Sequence, residues 1–312
     1  MKTKRKPRLG WRILLWVVLV GLAAALLLGG YFGVKGYRMY KEAIAEKPIE
    51  SIEDDIRQRC SYVSRYMSYD ELPQIYIDAV ICAEDRRFES HHGIDYISIC
   101  RAILVDIKTL SFAEGGSTIT QQLAKNELFT QKKHLERKFA EIFAARAIED
   151  TYTKKEIFEM YVNSIYFGSG FYSIYSASEG YFGKSPEELS DSEAVMLAGL
   201  PNAPSLYSPN NSIYLATRRM TTVMQKMINY DMISVQRADE IMAEAFSMQF
   251  LQPVACKGKH KSTYKKIGLT IFVKPICSMS KKPRRVSRPQ TRKQYDMFSA
   301  ATCAWRKTLC AE

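Results

Sequence analysis

The most constraining feature of the sequence is an uncharged run of 22 residues, 13–34, which follows a segment, residues 1–12, with six Lys and Arg residues and no acid. A helix rises about 1.5 Å per residue, so the run reaches roughly 33 Å, enough for a hydrocarbon core of about 30 Å. A cleaved secretory signal is the alternative, but its apolar region has only about 7–15 residues, and three leucines, 26–28, continue the run beyond the small residues 23–25. The run therefore predicts one membrane-spanning helix, with the basic segment in the cytoplasm and the chain after Lys35 outside.

The basic charge of the chain is concentrated near its C-terminal end. The formal net charge is +12, yet residues 255–312 hold 15 Lys and Arg against 2 acids, so the remainder is close to neutral. This division and the predicted topology disfavour a nucleic-acid binder. For the basic tail, residues 251–312, the sequence leaves three readings open: a segment lying on an anionic membrane, a disordered end, or the product of a change of reading frame.

Cysteine usage gives no indication of a metal site. Of the seven cysteines, four lie in the basic tail, and Cys60, Cys82 and Cys100 form no CxxC pair and have no histidine at metal spacing. Zinc is therefore disfavoured, and Cys82, among apolar neighbours, is expected in the core.

Repeated helix-start signals predict a mainly α domain. Thr153 with Glu156 and Ser190 with Glu193 have the Ser/Thr-x-x-Glu pattern of a capping box, and the second helix should stop at the Gly-Leu-Pro of residues 199–201. No alternating strand pattern and no internal repeat is evident between residues 68 and 246. The expected organisation is a cytoplasmic segment (1–12), a transmembrane helix (13–34), a stalk (35–60), a helical domain (61–250) and the basic tail (251–312).

The stretch GGSTITQQLAKN, residues 115–126, concentrates polar groups at a predicted helix start. Thr118 can serve as the N-cap and Gln121 completes a capping box, which is ordinary structure. That reading leaves Ser117, Gln122 and Lys125 unexplained at the same helix entrance. Because a helix N-terminus favours anions, and because Gln122 and Lys125 are one turn apart, the cluster predicts an anionic ligand.

A second cluster is AEDRRFESHHG, residues 83–93. The preceding residues, 73–83, predict a helix whose buried positions place Glu84 toward the inside, where partial desolvation makes a carboxylate a better general base. Asp85, one position round, is expected to be solvated or to pair with a cation. The alternative is that both acids simply form a solvated helix end.

A third cluster lies on the predicted helix 134–149. Its apolar face includes Leu135, Phe139, Ile142 and Phe143, while Arg137, Lys138 and Glu141 share the opposite side. An exposed face with weak ion pairs is the alternative to a functional site.

Five motifs occur in order along the chain: EDRRF (84–88) with His91 and Gly93, GGSTITQQ (115–122), RKxxE (137–141), KKEIFEMYVNSIYFGSGFYSIYSASEGYFGK (154–184) and LAGLPNAPSLYSP (197–209). With these motifs the chain resembles the membrane-anchored peptidoglycan glycosyltransferases, glycosyltransferase family 51, which form the transglycosylase module of bifunctional penicillin-binding proteins and also occur as monofunctional enzymes. The resemblance covers residues 61–246.

The resemblance implies a lysozyme-like helical glycosyltransferase domain, with a cleft close to the membrane that binds two lipid-linked sugars. Glu84 matches the base that takes the proton from the acceptor's 4-hydroxyl, and Glu141 matches a second functional glutamate near the donor's diphosphate. The positions that match donor and diphosphate binding are Ser117, Gln121, Gln122, Lys125, Arg137 and Lys138.

Further candidates for substrate contact lie in the same motifs: Asp85, Arg87, Phe88, Thr118 and, with a structural role as the alternative, Asn163. Lys133 stands where the family often has an arginine, four residues before the Arg-Lys pair. The charge is kept but the bidentate fork is lost, so we expect an effect on diphosphate affinity rather than on the reaction type.

The chemistry of these residues agrees with a diphosphate donor. A glycoside hydrolase must protonate a poor leaving group, whereas a diphosphate leaves readily and needs cations. Glu141, one turn from Arg137 and Lys138, should stay ionised and is unsuited to giving up a proton. No cofactor is required by this scheme, and a divalent cation, Mg²⁺, at Glu141 stays open.

The sequence therefore predicts a single-pass membrane enzyme that polymerises lipid II, a lipid-linked disaccharide-pentapeptide, into β-1,4 glycan for the cell wall. Only 66 residues follow Phe246, so we expect a monofunctional enzyme with no transpeptidase domain. Expected partners are lipid II, the growing lipid-linked glycan, the membrane and other cell-wall synthesis proteins. The alternatives are a lytic hydrolase of lysozyme-like fold and a non-catalytic scaffold for cell-wall assembly.

Overall fold

The computed structural model describes residues 9–109, 116–129 and 135–247. Its helices are α1 (Leu9–Glu46), α2 (Ile52–Val63), α3 (Gln74–Glu84), α4 (Tyr96–Thr109), α5 (Ile119–Leu128), α6 (Leu135–Thr151), α7 (Lys154–Ser164), α8 (Ile174–Phe182), α9 (Asp191–Gly199), α10 (Pro204–Tyr207), α11 (Pro209–Asn229) and α12 (Val235–Ser247). Strands β1 (Tyr166–Gly168) and β2 (Phe171–Tyr172) form a short antiparallel hairpin between α7 and α8. The prediction of a mainly α domain behind one apolar helix is confirmed; the hairpin lies outside it, because such short strands leave no alternating pattern.

The helix starts follow the sequence signals. Thr118, Thr153 and Ser190 are the N-caps of α5, α7 and α9, and each forms a capping box with the residue three positions on. The side-chain oxygen of each cap accepts a backbone N–H that the first helical turn would leave without a partner. The helix α9 ends at Gly199, as the Gly-Leu-Pro sequence predicts.

Two helix groups build the core around the ends of α3 and α5. Helices α3, α9 and α11 pack against one another, and α5 packs against both α6 and α7. Large buried side chains fill the space, with Tyr76 on α3 and Phe158 and Tyr161 on α7 fully enclosed. This packing holds the C-terminus of α3, which ends at Glu84, near the polar face of α5.

Helix α1 is the part of the described chain that is long and apolar enough to cross a membrane. The qualifying stretch, Ile13–Glu46, has a mean hydropathy of 2.6 in its most apolar window, and none of that window is buried inside the protein. The predicted span, residues 13–34, lies within it.

The structure corrects the expectation of a stalk at residues 35–60. Residues 35–46 of this segment continue α1 and pack along α6, where the ring of Tyr37 meets that of Phe143 edge to face at 5.3 Å. Gly36 permits the contact, since a Cβ atom there would lie 2.4 Å from the Cβ of Phe139. The mixed, charged composition of the segment conceals this apolar face.

Ion pairs fix the chain that follows α1. Lys47 pairs with Glu127, at the end of α5, over 3.0 Å, and Arg59 on α2 contacts the same carboxylate at 2.6 Å. The predicted domain boundary at residue 61 therefore falls inside α2, a helix whose Ile52 and Ile56 are already in the core. The basic tail, residues 251–312, lies outside the described residues.

Candidate active site

Glu84, the last residue of α3, projects its carboxylate into a polar site between α5 and α11. Its side chain is 8% exposed, and Gln122 donates a hydrogen bond from Nε2 to its Oε2 at 2.9 Å. The Tyr161 hydroxyl donates in turn to Gln122 Oε1 at 3.4 Å. On the other side, Nη2 of Arg219 lies 3.6 Å from Oε1 of Glu84. The carboxylate is therefore oriented by an amide and faces one buried cation.

Asp85 turns away from this site and organises the backbone. Its carboxylate accepts the N–H of Ile119 at 3.0 Å and lies 2.9 Å from Nε2 of His91. Asp85 is 6% exposed, so the solvated environment that was one of its two predicted surroundings is wrong, and its carboxylate is hydrogen-bonded inside the protein. The aspartate ties the loop after α3 to the first turn of α5.

The N-terminus of α5 uses two of the predicted ligand-binding residues for its own structure. The Thr118 hydroxyl donates to the carbonyl oxygen of Gly93 at 2.7 Å and accepts the Gln121 N–H at 3.1 Å. Gln121 accepts the Thr118 N–H through Oε1, also at 3.1 Å, and both residues are buried. Ser117, Gln122 and Lys125 are the residues of this cluster that stay partly accessible.

Glu141 lies in a compact group of cations. Its side chain is 2% exposed, with Nε of Arg137 3.1 Å from Oε1 and Nζ of Lys138 2.9 Å from Oε2. Lys138 also donates to the Ser117 hydroxyl at 2.7 Å, which links α6 to the start of α5. Glu141 is buried and Arg137 is 15% exposed, whereas Lys138 is 46% exposed, so this side of α6 is exposed only in part.

Lys125 connects the two carboxylates electrostatically. Burial lowers the pKa of its ammonium group, while the charge of Glu141 and, more weakly, that of Glu84 oppose the effect, and Arg137 and Lys138 add to it. A lysine in such surroundings gains from a further anion, because a dianionic ligand would relieve the repulsion among the three cations.

The donor set at Glu141 does not fit a divalent cation. Both of its carboxylate oxygens already face Arg137 and Lys138, and a metal ion would meet these two positive groups. Within residues 9–109, 116–129 and 135–247, no group of three or more His, Cys, Asp or Glu side chains could hold a metal ion.

The remaining predicted residues lie beside the site or outside the described chain. Arg87 faces Asp95 at 3.6 Å, and the fully buried Phe88 packs its ring 6.4 Å from that of Phe158. The Asn163 amide is buried: its Oδ1 accepts the backbone N–H of Met67, and its Nδ2 donates to the Met67 carbonyl oxygen. Lys133 lies outside the described residues.

The structure thus brings together seven of the predicted residues around one polar site: Glu84, Ser117, Gln122, Lys125, Arg137, Lys138 and Glu141. Sequence reasoning missed Tyr161 and Arg219. Tyr161 sits in the fourth motif without a distinguishing pattern. Arg219 follows another arginine on α11, and only the fold shows which of the two turns inward.

The described chain is a helical domain that sets an oriented carboxylate beside a cluster of cations. The chain matches the protein family described as Transglycosylase over residues 52–228, more than half of its length. The chain therefore belongs to the transglycosylase family.

Named relatives agree with this assignment. The chain is 41% identical over 184 residues to penicillin-binding protein 1A of Aquifex aeolicus, a match that covers 59% of this chain and 25% of the relative. It is 40% identical over 202 residues to penicillin-binding protein 2D of Bacillus subtilis, covering 62% of this chain and 29% of that protein. The chain thus spans roughly a quarter of the length of these relatives.

The crystal structure of penicillin-binding protein 1A from Haemophilus influenzae aligns with 70% of this chain and 21% of its own, at 20% sequence identity and a TM-score of 0.33.

Proposed function

We propose that this protein is a peptidoglycan glycosyltransferase that polymerises lipid II into β-1,4-linked glycan, with inversion at C1 and release of polyprenyl diphosphate. The observation that carries the proposal is the start of α5, where Gln122 bonds to the Glu84 carboxylate and Ser117 accepts from Lys138, one of the two cations paired with Glu141. A proton acceptor and a diphosphate-binding cation cluster therefore belong to one site. Membership of the transglycosylase family agrees with this chemistry.

In the proposed reaction, Glu84 takes the proton of the acceptor's 4-hydroxyl as its oxygen attacks C1 of the donor. The C1–O bond to the diphosphate breaks, and the electron pair leaves with the phosphate oxygen. Gln122, held by Tyr161, fixes the carboxylate while the proton moves. Two effects would accelerate the reaction: proton transfer to the carboxylate base, and the placement of the two reactants next to each other.

The leaving diphosphate would be stabilised by Lys125, Arg137 and Lys138. These cations stand in a partly buried site, where their attraction for a developing negative charge is stronger than in water. Glu141 holds Arg137 and Lys138 in place by ion pairs, so its role in this scheme is to order the cations. Ser117, which accepts from Lys138, orients the ammonium group.

The hydrolase alternative requires a carboxylic acid that protonates a sugar leaving group. Glu141 is the second carboxylate of the site, and its two oxygens face Arg137 and Lys138, so neither oxygen is free to meet a sugar leaving group. The scaffold alternative gives no reason for the ordered contacts of Glu84 with Gln122 and Arg219.

We further propose that α1 anchors the enzyme in the cell membrane, with the basic N-terminus in the cytoplasm and the helical domain on the outer face. The length and hydropathy of α1 support its role as an anchor. The cationic residues near its N-terminus support the orientation. Lipid II, the lipid-linked glycan and other cell-wall synthesis proteins are the proposed partners. That the enzyme is monofunctional stays a prediction.

The proposal is tested by incubating the detergent-solubilised full chain with fluorescently labelled lipid II and resolving the products by length. A ladder of long glycan together with free polyprenyl diphosphate supports it. Soluble fragments released from preformed glycan would support the hydrolase, and a folded but inert protein would support the scaffold.

A further inference from the structure

The fifth sequence motif, residues 197–209, has no role in the scheme above, yet it contacts a nearly buried arginine, Arg219. Arg219 on α11 donates from Nε to the carbonyl oxygen of Gly199 at 3.1 Å. Its guanidinium carbon lies 5.8 Å from the ring centroid of Tyr207. The motif therefore supplies both a hydrogen-bond acceptor and an aromatic face to the same side chain.

Gly199 leaves room for the Arg219 side chain because it has no side chain of its own. A Cβ atom there would lie 3.0 Å from Cγ of Arg219 and 3.5 Å from Val223. The glycine φ is −81°, so an alanine would be free of backbone strain and would act only through the crowding of Arg219.

Held by these contacts, Arg219 faces Glu84. Their side chains are 11% and 8% exposed, and Nη2 of the arginine lies 3.6 Å from Oε1 of the glutamate. Oε2 is held by Gln122, whereas Oε1 accepts no hydrogen bond within the described part of the chain. Oε2 is thus oriented by an amide. Oε1 faces a nearly buried positive charge, and its lone pairs stay available to accept a proton.

A second cation comes from the same face of α11. Lys226, two turns after Arg219, donates to the carbonyl oxygen of Ala83 at 2.8 Å. Helix α11 therefore places two positive side chains at the C-terminus of α3, where the helix dipole is negative and Glu84 adds a charge.

We propose that Arg219 is a positioning residue that keeps Glu84 ionised and aimed at the acceptor hydroxyl. The inference rests on the proposed function, because it assigns a partner to the base of that reaction. A desolvated carboxylate that loses its cationic partner takes up a proton more readily, and a protonated Glu84 cannot accept one.

Other groups around Glu84 act in the same electrostatic field. Lys125 on α5 and Lys226 on α11 supply positive charge, and the Asp85 carboxylate is occupied by His91 and Ile119. Tyr161 on α7 faces the site as a neutral phenol, since burial and, next, the Glu84 charge raise its pKa. Arg219 lies within ion-pair distance of this carboxylate, at 3.6 Å.

The test compares Arg219→Gln, Arg219→Lys and a matched control, Arg218→Gln, in the neighbouring exposed arginine. The measured quantity is kcat/KM for lipid II polymerisation as a function of pH, with the full chain in detergent. We expect Arg219→Gln to move the acidic limb of the profile to higher pH by about one unit or more, so that activity recovers in part as pH rises. Arg219→Lys should move the limb less, and Arg218→Gln should leave it in place.

A loss of activity by the same factor at every pH would assign Arg219 a purely structural role and overturn the inference, as would an unshifted profile. If Arg219→Gln does not fold, Gly199→Ala displaces the arginine without removing a charge, and it should shift the limb in the same direction by a smaller amount. An inactive wild type would contradict the proposed function itself, whereas an active wild type with an unshifted variant contradicts only the role of Arg219.

Discussion

Asp85 accepts a hydrogen bond from the backbone N–H of Ile119 at 3.0 Å, so the residue beside Glu84 is bonded directly to the first turn of α5. That helix carries Gln122, which orients Glu84, and Lys125, which belongs to the cation cluster. Because Asp85 also binds His91, one buried carboxylate sets the relative positions of the base and of the helix that faces it.

Replacing Asp85 by alanine should lower both stability and activity. The change leaves a buried N–H and a buried imidazole without their acceptor, and each unsatisfied group costs about 1–3 kcal/mol. At about 2–4 °C per kcal/mol for a domain of this size, the melting temperature should fall by at least about 4 °C. Thermal unfolding followed by circular dichroism measures the effect, and Asp239→Asn, at an exposed position on α12, is the control. An Asp85→Ala protein that melts with the wild type would contradict this account.

Replacing Gly36 by alanine should separate the membrane helix from α6. A Cβ atom at this position would lie 2.9 Å from the backbone nitrogen of Ala140, as well as against Phe139, so the two helices cannot keep their distance. Such overpacking costs about 1–3 kcal/mol. We expect a lower melting temperature in detergent and a reduced polymerisation rate, since α6 carries Arg137 and Lys138.

The control for this variant is Gly33→Ala, one turn earlier on α1, where a new Cβ would meet no atom within 4 Å. Both variants add one methyl group to the same helix, so propensity effects cancel. If the two variants behave alike, the contact between α1 and α6 does not contribute to stability or activity.

The lowered pKa of Lys125 predicts a pH-dependent affinity for lipid II. The ammonium form binds the diphosphate, and it is lost as pH rises through a pKa that lies below that of an ordinary lysine, about 10.4. KM should therefore rise on the alkaline side earlier than for a solvent-exposed lysine. Burial is the main cause of the lowered pKa; Arg137 and Lys138 add to it, while Glu141 and Glu84 oppose it.

Steady-state kinetics of Lys125→Arg across the alkaline range would test whether loss of the Lys125 charge causes the rise in KM. Arginine stays charged, so the rise in KM should move to higher pH, whereas Lys125→Met should raise KM by about 10-fold or more at neutral pH. Lys155→Arg, at an exposed lysine paired with Asp70, should leave the profile unchanged. A KM independent of pH in the wild type and all variants would remove Lys125 from the diphosphate site.

The elements that sequence reasoning predicted correctly are those with local signals. The capping boxes at Thr118, Thr153 and Ser190 define the starts of α5, α7 and α9, because cap chemistry depends on residues only three apart. The inward position of Glu84 followed from the periodicity of α3. Its charge partner Arg219 could not be predicted, since the pairing depends on how α3, α9 and α11 pack.

Residues 35–60 also show that sequence patterns do not reveal contacts between helices distant in the chain. Their charged composition is typical of an exposed segment, yet Tyr37 and Gly36 form a contact surface for α6 that becomes visible only when both helices are placed. Similarly, the sequence identifies the apolar face of α6 with Phe139 and Phe143 but does not show which element covers it. It packs on α1, and alanines such as Ala140 and Ala144 face inward.

The most direct test of the central claim is polymerisation of labelled lipid II by the wild type beside Glu84→Gln, with Glu89→Gln, at an exposed site in the same segment, as the control. The substitution keeps the shape of the side chain but removes the base, so the rate should fall by about 10² to 10⁴ while the variant keeps the wild-type melting temperature. The control should make glycan of normal length. If Glu84→Gln polymerises lipid II at the wild-type rate, Glu84 is not the base, and the mechanism proposed for this site is wrong.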